Sequence, residues 1–318
     1  MLFAQALDNS YVQAASIIIV VVALQSVWSL RAKYHPLTLY RLLAMRLDLK
    51  VNHPNRGKLQ NYIAGSLGFI SLTLPILVIL YFTLELVYFR WFFDGLILFI
   101  ALSSSDKTTL YNRTYKHLSK QNKIVARACV SSMVLRSTDR LSPLGCAKAA
   151  MESSSLRFYY HFATILFWFF LIGPLFALWI RLISECHQAW NCRLSRYQYF
   201  GVPVARLNSL LQALPCGLHC LLFSLLYRPS KTAKQWFLNI HRGSRQLIVA
   251  CTAYALPCEL GGPSIYNDNK VRFERHNENI PVKLGHMLVL KKYLRFKATV
   301  LVIVYAFIAL TLYSLDLR

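Results

Sequence analysis

The sequence predicts an all-α protein: a multi-pass membrane helix bundle of about six transmembrane helices with large cytoplasmic loops. Of its 318 residues, 56% are hydrophobic and only 15% are charged, whereas soluble domains carry about 25% charged residues. Aromatic side chains make up 14% of the chain, which suits the aromatic belts found at membrane interfaces. We find no internal repeat and no linker, so we expect a single membrane domain over residues 1–318.

The positions of the helices follow from apolar runs, because crossing the hydrocarbon core takes about 20 mainly apolar residues. The fifth run contains Pro215 and His219 and the third is short, so each is also compatible with a re-entrant or buried segment. A further helix is predicted over 143–154, with Ser142 as its N-cap. The six predicted spans cover residues 10–30, 62–84, 87–102, 158–180, 207–226 and 296–315.

The distribution of Lys and Arg predicts the orientation of the bundle. Segments 31–61, 103–157 and 227–295 hold 29 of the 36 positive residues. With six crossings these three loops fall on one side, and the positive-inside rule makes that side cytoplasmic. Both termini and segment 181–206, which holds four Arg, then fall on the opposite side. We expect the protein in the bacterial inner membrane.

The net charge of +23 raises nucleic-acid binding as an alternative explanation. No RNA- or DNA-binding motif accompanies the charge, and basic loops of membrane proteins commonly face anionic lipid. We therefore expect membrane lipid as a partner and no nucleic acid. Cys216 and Cys220 share a helical face, but cysteine is also a small apolar residue common in helices, and no metal site is predicted.

Four stretches in order carry a resemblance to a known family. The stretches are His35-Pro36 five residues before Arg41, then LRSTDRL at 135–141 with AKAAMES at 147–153, then YFGVPVAR at 199–206 with Leu214-Pro215, and finally AYAL at 253–256 with Gly261-Gly262-Pro263 and Tyr266. Together they resemble the cobalamin-biosynthesis CobD/CbiB family, the adenosylcobinamide-phosphate synthases.

The resemblance implies an amide ligation that joins adenosylcobyric acid to aminopropanol phosphate, with a corrinoid as substrate. It implies Mg²⁺ and ATP as cofactors if the chain is catalytic, because phosphoryl chemistry needs a hard cation held by carboxylate oxygens. Asp139 and Glu152 stand in family-like surroundings and are the predicted catalytic residues. The alternative is that both are loop acids paired with Arg136 and Arg140. The predicted cofactor-binding residues are His35, Arg41, Arg136 and Arg206.

The chain also departs from the family pattern. The family's E-N and Asp after its E-S motif are replaced by Leu156-Arg157 and Tyr160, and its N-T-L-D by Ser184 to His187. Most acidic and amide positions suited to Mg²⁺ or ATP are lost, and Arg157 favours an anion over a cation. We therefore expect weak or no ligase activity.

A second resemblance offers a different functional class. Arg157-Phe158-Tyr159 leading into Phe167-Trp168 resembles the start of a span in AmpE-type membrane proteins. Those proteins are associated with β-lactamase regulation or sensing, and the resemblance implies no catalysis. A non-catalytic inner-membrane sensor or regulator is therefore the alternative function. The oligomeric state does not follow from the sequence.

Overall fold

The computed structural model describes residues 9–28, 34–53, 57–102, 105–266 and 269–316. Within these ranges the chain is almost entirely helical, which confirms the predicted all-α class. The helices are α1 (Ser10–Val27), α2 (Pro36–Val51), α3 (Lys58–Leu86), α4 (Arg90–Leu102), α5 (Ser105–Ser119), α6 (Lys123–Ser131), α7 (Pro143–Phe158), α8 (Thr164–Leu171), α9 (Pro174–Ala189), α10 (Val202–Leu226), α11 (Pro229–Asn239), α12 (Ser244–Ala255) and α13 (Leu284–Asp316).

Short irregular elements complete the described chain. A π-helix, Tyr159–Ala163, joins α7 to α8. Two small antiparallel strand pairs lie between α12 and α13: β1 (Leu260–Gly261) with β4 (Arg275–His276), and β2 (Ser264–Tyr266) with β3 (Asn269–Val271).

Four helices of the described chain are long and apolar enough to cross a membrane: α1, α3, α10 and α13. Four predicted spans fall within them, apart from Trp28, which follows the end of α1, and residues 29–30, which lie outside the described ranges. The predicted third span corresponds to α4, which has only 13 residues. The predicted helix over 143–154 is confirmed as α7, whose N-cap Ser142 Oγ accepts a hydrogen bond from the Gly145 amide at 3.0 Å.

The predicted fourth span, residues 158–180, is not one continuous helix. Its first part ends at Leu171, the last residue of α8. The chain then turns at Gly173, and α9 begins at Pro174. Gly173 has φ +121°, a conformation that favours glycine, and proline is well suited to a first helical turn. The Trp168 and Phe176 rings, 5.0 Å apart, join the two arms. We call residues 159–189 the hairpin.

The hairpin returns the chain to the end from which it came. Arg41 Nε donates to Glu185 Oε2 at 2.9 Å, and Arg196 contacts Asp48 at 2.7 Å. The prediction that segment 181–206 lies opposite segment 31–61 is therefore wrong. The physical reason is that hydropathy measures the length of an apolar run, and a helix broken at a turn has the same hydropathy as one that crosses.

Further contacts bring the large polar segments together at this one end of the bundle. Arg193 Nη1 donates to the Tyr266 hydroxyl at 3.3 Å, and Arg136 Nη1 donates to Ser264 Oγ at 2.9 Å. We call this end, formed by residues 34–53, 105–157, 190–200, 227–266 and 269–283, the basic end.

The ends of α10 also lie near the basic end. Tyr197, just before α10, donates to Asp48 at 3.0 Å, and the ring of Tyr227, just after it, lies 4.7 Å from the Tyr293 ring. In the middle of the helix, the Leu211 carbonyl accepts a hydrogen bond from Trp168 of the hairpin at 3.0 Å. These contacts agree with the alternative in which the fifth segment is re-entrant, and the number of crossings stays a prediction.

Candidate functional site

A cavity of about 520 Å³ lies at the basic end. Its walls come from α7, the last turns of α9, the first half of α10 and the start of α12. The hairpin is essential to this arrangement, because it brings the end of α9 beside α7 and α12. The polar side chains of the wall include His161, Ser184, His187, Gln188, Asn191, Asn208 and Gln212.

The charge of the cavity wall is strongly positive. The only carboxylate among the described residues that line it is Glu152. Guanidinium groups are always protonated and match carboxylate and phosphate oxygens in pairs. The wall therefore suits an anionic ligand better than a cation. The arginines are Arg136, Arg157, Arg193, Arg242 and Arg245.

Glu152 is buried, with 3% of its surface exposed, and both of its oxygens are engaged. Oε1 accepts a hydrogen bond from the Gly261 amide at 2.8 Å. Oε2 lies 3.3 Å from Arg136 Nη1 and 3.9 Å from Arg245 Nη2. Gly261 has φ +86°, and a Cβ there would lie 2.2 Å from the Glu274 carbonyl oxygen. Only glycine therefore allows this close approach.

Aromatic rings hold two of the arginines in place. The Arg245 guanidinium lies 3.8 Å from the centre of the Phe273 ring, and that of Arg193 lies 5.2 Å from the same ring. Such cation–π contacts are attractive and strengthen when water is excluded. Burial lowers the pKa of Arg245, but an arginine remains charged at neutral pH.

The predicted site residues fall into two groups. Glu152 and Arg136 line the cavity and contact each other. Arg41 is connected to the cavity wall through Gln188, whose Oε1 accepts from Arg41 Nη2 at 3.4 Å. Gln188 Nε2 in turn lies 3.0 Å from His161 Nε2.

The other predicted site residues do not line the cavity. Asp139 is exposed, and its carboxylate accepts a hydrogen bond from Ser137 Oγ at 3.4 Å. Arg206 is exposed, with its guanidinium 6.0 Å from the Tyr62 ring centre. His35 is the N-cap of α2. The structure therefore does not bring Asp139, Arg206 and His35 together with Glu152, and their predicted roles stay predictions.

The departures from the family pattern are concentrated in the cavity wall. Positions that carry acids or amides in the family pattern here carry an apolar, basic, aromatic or hydroxyl side chain, so their ability to hold Mg²⁺ is reduced. These cavity-lining departures are Leu156, Arg157, Tyr160, Ser184 and His187.

Several cavity residues were not predicted from the sequence. Arg193 and Arg245 stand in no motif, and only the fold brings them to Glu152. Ser184 Oγ donates to Asn208 Oδ1 at 3.0 Å and accepts from Gln212 Nε2 at 3.1 Å. The apolar patterns of α9 and α10 do not indicate that these polar side chains meet.

We tested whether the cavity residues fit the Mg²⁺ that the resemblance implies. Among the residues that the structure describes, no group of three or more His, Cys, Asp or Glu is placed to hold a metal. Mg²⁺ prefers carboxylates and phosphates as ligands, and Glu152 is already engaged by Arg136, Arg245 and the Gly261 amide. The wall therefore does not fit a Mg²⁺ held by protein carboxylates.

Comparison with known proteins identifies the family. The family model described as CobD/Cbib protein matches residues 18–288. The chain belongs to the CobD/CbiB family. The predicted resemblance is thus confirmed, and every residue that lines the cavity falls within the CobD/CbiB match.

Individual relatives in the CobD/CbiB family are distant. The chain is 26% identical over 236 residues to the cobalamin biosynthesis protein CobD of Stutzerimonas stutzeri, covering 73% of this chain and 77% of that protein. It is 28% identical over 174 residues to that of Chromobacterium violaceum, covering 54% and 56%. A probable cobalamin biosynthesis protein CobD of Pyrococcus abyssi is 29% identical over 213 residues, covering 64% and 70%. No solved structure matches the chain.

Proposed function

We propose that this protein acts in cobalamin biosynthesis, as an adenosylcobinamide-phosphate synthase-like protein of the bacterial inner membrane. The observation that carries the proposal is the cavity, in which family-like Glu152 and Arg136 meet four further arginines. The names of its relatives support the pathway.

The chemistry of the reaction fits the charge of the cavity. Adenosylcobyric acid presents a carboxylate, and aminopropanol phosphate presents a phosphate, so both partners of the amide ligation carry an anionic group. Arginine binds both groups through paired hydrogen bonds. Glu152 holds Arg136 and the Gly261 turn in place, and the described residues of the cavity wall include no second carboxylate. The protein therefore binds these anions better than it activates ATP, and its ligase activity is weak or absent.

The orientation of the basic end supports a cytoplasmic cavity. Because the hairpin returns, Arg193 and Arg196 also lie at the basic end, beside the described parts of the three segments that hold 29 positive residues in the sequence. The charge asymmetry between the two ends is thus larger than the sequence alone predicts. By the positive-inside rule, the basic end faces the cytoplasm, where ATP and the corrinoid intermediates are available.

The proposal is tested with purified protein in detergent, supplied with adenosylcobyric acid, aminopropanol phosphate, Mg²⁺ and ATP. We expect saturable binding of adenosylcobyric acid and turnover well below about 1 s⁻¹, the lower range of typical enzymes. Turnover at or above that rate would show that an efficient ligase site exists. A lack of corrinoid binding would contradict the proposed ligand.

A second function, that of a non-catalytic sensor or regulator like AmpE, is favoured by one observation. Leu156, Arg157 and Tyr160 replace the acids and amides of the family in the cavity wall, which lowers catalytic capacity without blocking binding. Complementation from a high-copy plasmid separates the two functions: even a slow synthase restores some corrinoid amidation to a strain that lacks it. A regulator leaves that strain deficient.

A further inference from the structure

The start of α12 opens into the cavity. Gly243, Ser244, Arg245 and Gln246 all line it, and Gly243 has φ +93°. No side chain caps this 12-residue helix, and its first turn contains no acidic residue. The first amides of a helix have no partner within the helix, and together with the helix dipole they favour an anion.

A second, independent observation comes from two arginines beside this turn. Arg136 lines the cavity with 10% of its side chain exposed, and its Nε has no hydrogen-bond partner in the described structure. Arg245 Nη1 is likewise buried and without a partner among the described residues. Leaving a buried charged donor unsatisfied costs free energy. Both side chains keep accessible surface in the cavity wall, 10% for Arg136 and 21% for Arg245, where a ligand that brings acceptor oxygens can contact them.

The remaining atoms of both arginines are already held. Arg136 Nη1 donates to Ser264 Oγ at 2.9 Å and also lies 3.3 Å from Glu152. Arg245 is packed on the Phe273 ring at 3.8 Å. Each guanidinium is thus fixed before a ligand binds, which reduces the entropy lost on binding.

We propose that the start of α12, with Arg136 and Arg245, is a subsite for a phosphate monoester that binds without a divalent cation. This inference rests on the proposed function and specifies where its phosphate-bearing ligand is held. A phosphate has three terminal oxygens, enough for helix amides and two guanidinium groups at once. The arginines supply the counter-charge that Mg²⁺ commonly supplies to phosphates in other sites.

The experiment is calorimetric titration of the full chain in lipid nanodiscs with aminopropanol phosphate, once with EDTA and once with Mg²⁺. Aminopropanol, which lacks the phosphate, is the matched ligand. We expect affinities that agree within about twofold in the two buffers, and no binding of aminopropanol. A requirement for Mg²⁺ would overturn the inference, whereas the proposed function would stand if adenosylcobyric acid still binds the same preparation.

The affinity of two variants for aminopropanol phosphate tests whether the phosphate binds at this subsite. Arg245→Gln should weaken binding of aminopropanol phosphate by about tenfold or more, because a charge-assisted hydrogen bond is lost. Arg140→Gln is the matched control: it removes the same charge from an exposed side chain that does not line the cavity. Equal affinity in the two variants would overturn the proposal.

A second variant separates binding from folding. Ser244→Asp places a carboxylate in the first turn of α12, where negative charge stabilises a helix. The protein should therefore fold as stably as the parent, judged by thermal unfolding without ligand, yet bind aminopropanol phosphate at least about tenfold more weakly through charge repulsion. Unchanged binding in this folded variant would place the phosphate elsewhere.

Discussion

At the scale of single residues, the two acids predicted from the same stretch have different environments. Glu152 is buried in the cavity and holds three partners, whereas Asp139 is exposed and outside the cavity. The sequence motif predicted Glu152 and Arg136 as site residues because both stand within it. It could not predict Arg193 and Arg245, which reach the same cavity only through tertiary packing.

We predict that Glu152→Gln loses complementation of a synthase-deficient strain while the protein stays in the membrane. Glutamine keeps an acceptor for the Gly261 amide but removes the charge that holds Arg136. The matched change Asp139→Asn should complement as well as the parent chain does. Immunoblots of membrane fractions report the protein levels. Equal complementation by both variants would remove Glu152 from the mechanism, if the parent chain complements.

We predict that the buried side chain of His276 makes the stability of the folded protein depend on pH. It lies in β4 opposite Leu260, with 6% of its surface exposed, and burial lowers its pKa below the usual 6.5. The unfolded chain therefore binds a proton more readily than the folded one as the pH falls below about 6.5, and the folded state loses stability there.

Thermal unfolding in detergent between pH 8 and pH 5 measures this effect. We expect the melting temperature of His276→Gln to fall less on acidification than that of the parent. The exposed His241→Gln variant serves as the control and should follow the parent curve. A His276→Gln curve parallel to the parent would assign the acid sensitivity to other groups.

At the scale of elements, long apolar runs were enough to predict the helices that are long and apolar enough to cross a membrane. The predicted run 62–84 lies within α3, and 296–315 lies within α13, which begins earlier at Leu284. The break at Gly173 was not predicted, because an isolated Gly-Pro pair within an apolar run is also tolerated by continuous membrane helices. The hairpin depends on what its arms pack against, and that information is not local.

The contact between α3 and the chain before α10 gives a test of packing. A Cβ at Gly65 would lie 2.0 Å from the Phe200 carbonyl oxygen, whereas one at Gly57 would have no atom within 4 Å. We predict that Gly65→Ala loses about 1–3 kcal/mol of stability, the usual cost of overpacking. Gly57→Ala meets no such clash and should lose less stability than Gly65→Ala in detergent, only the cost of alanine at the N-cap of α3. Equal melting of the two variants would contradict this close approach.

At the scale of the whole molecule, the structure moves one predicted segment, 181–206, to the other end of the bundle, because the hairpin returns there and both ends of α10 lie near that end. We predicted that the segments containing Lys50, Lys120 and Lys270 lie on one side of the membrane. In the structure the described residues around all three lysines lie at the basic end. Replacing a crossing by a hairpin moves residues 190–200 to that end as well. The orientation of that end relative to the cytoplasm remains a prediction from charge.

Reporter fusions test this arrangement. Fusions at Lys50, Lys120, Lys270 and Ser195 should all give the cytoplasmic type of signal, because Arg196 contacts Asp48 of the first basic segment. A six-crossing bundle would instead give the periplasmic signal at Ser195 alone. A periplasmic signal at Lys50, Lys120 or Lys270 would contradict both topologies.

The far end of the bundle brings together the first and last helices of the described chain. Asn9 Nδ2 donates to Asp316 Oδ2 at 2.8 Å, across 307 positions of sequence. A short peptide that joined Asn9 to Asp316 would therefore close the described chain into a ring and leave the cavity at the other end untouched. New ends opened at the turn around Gln121 would give a circular permutant that retains the same bundle.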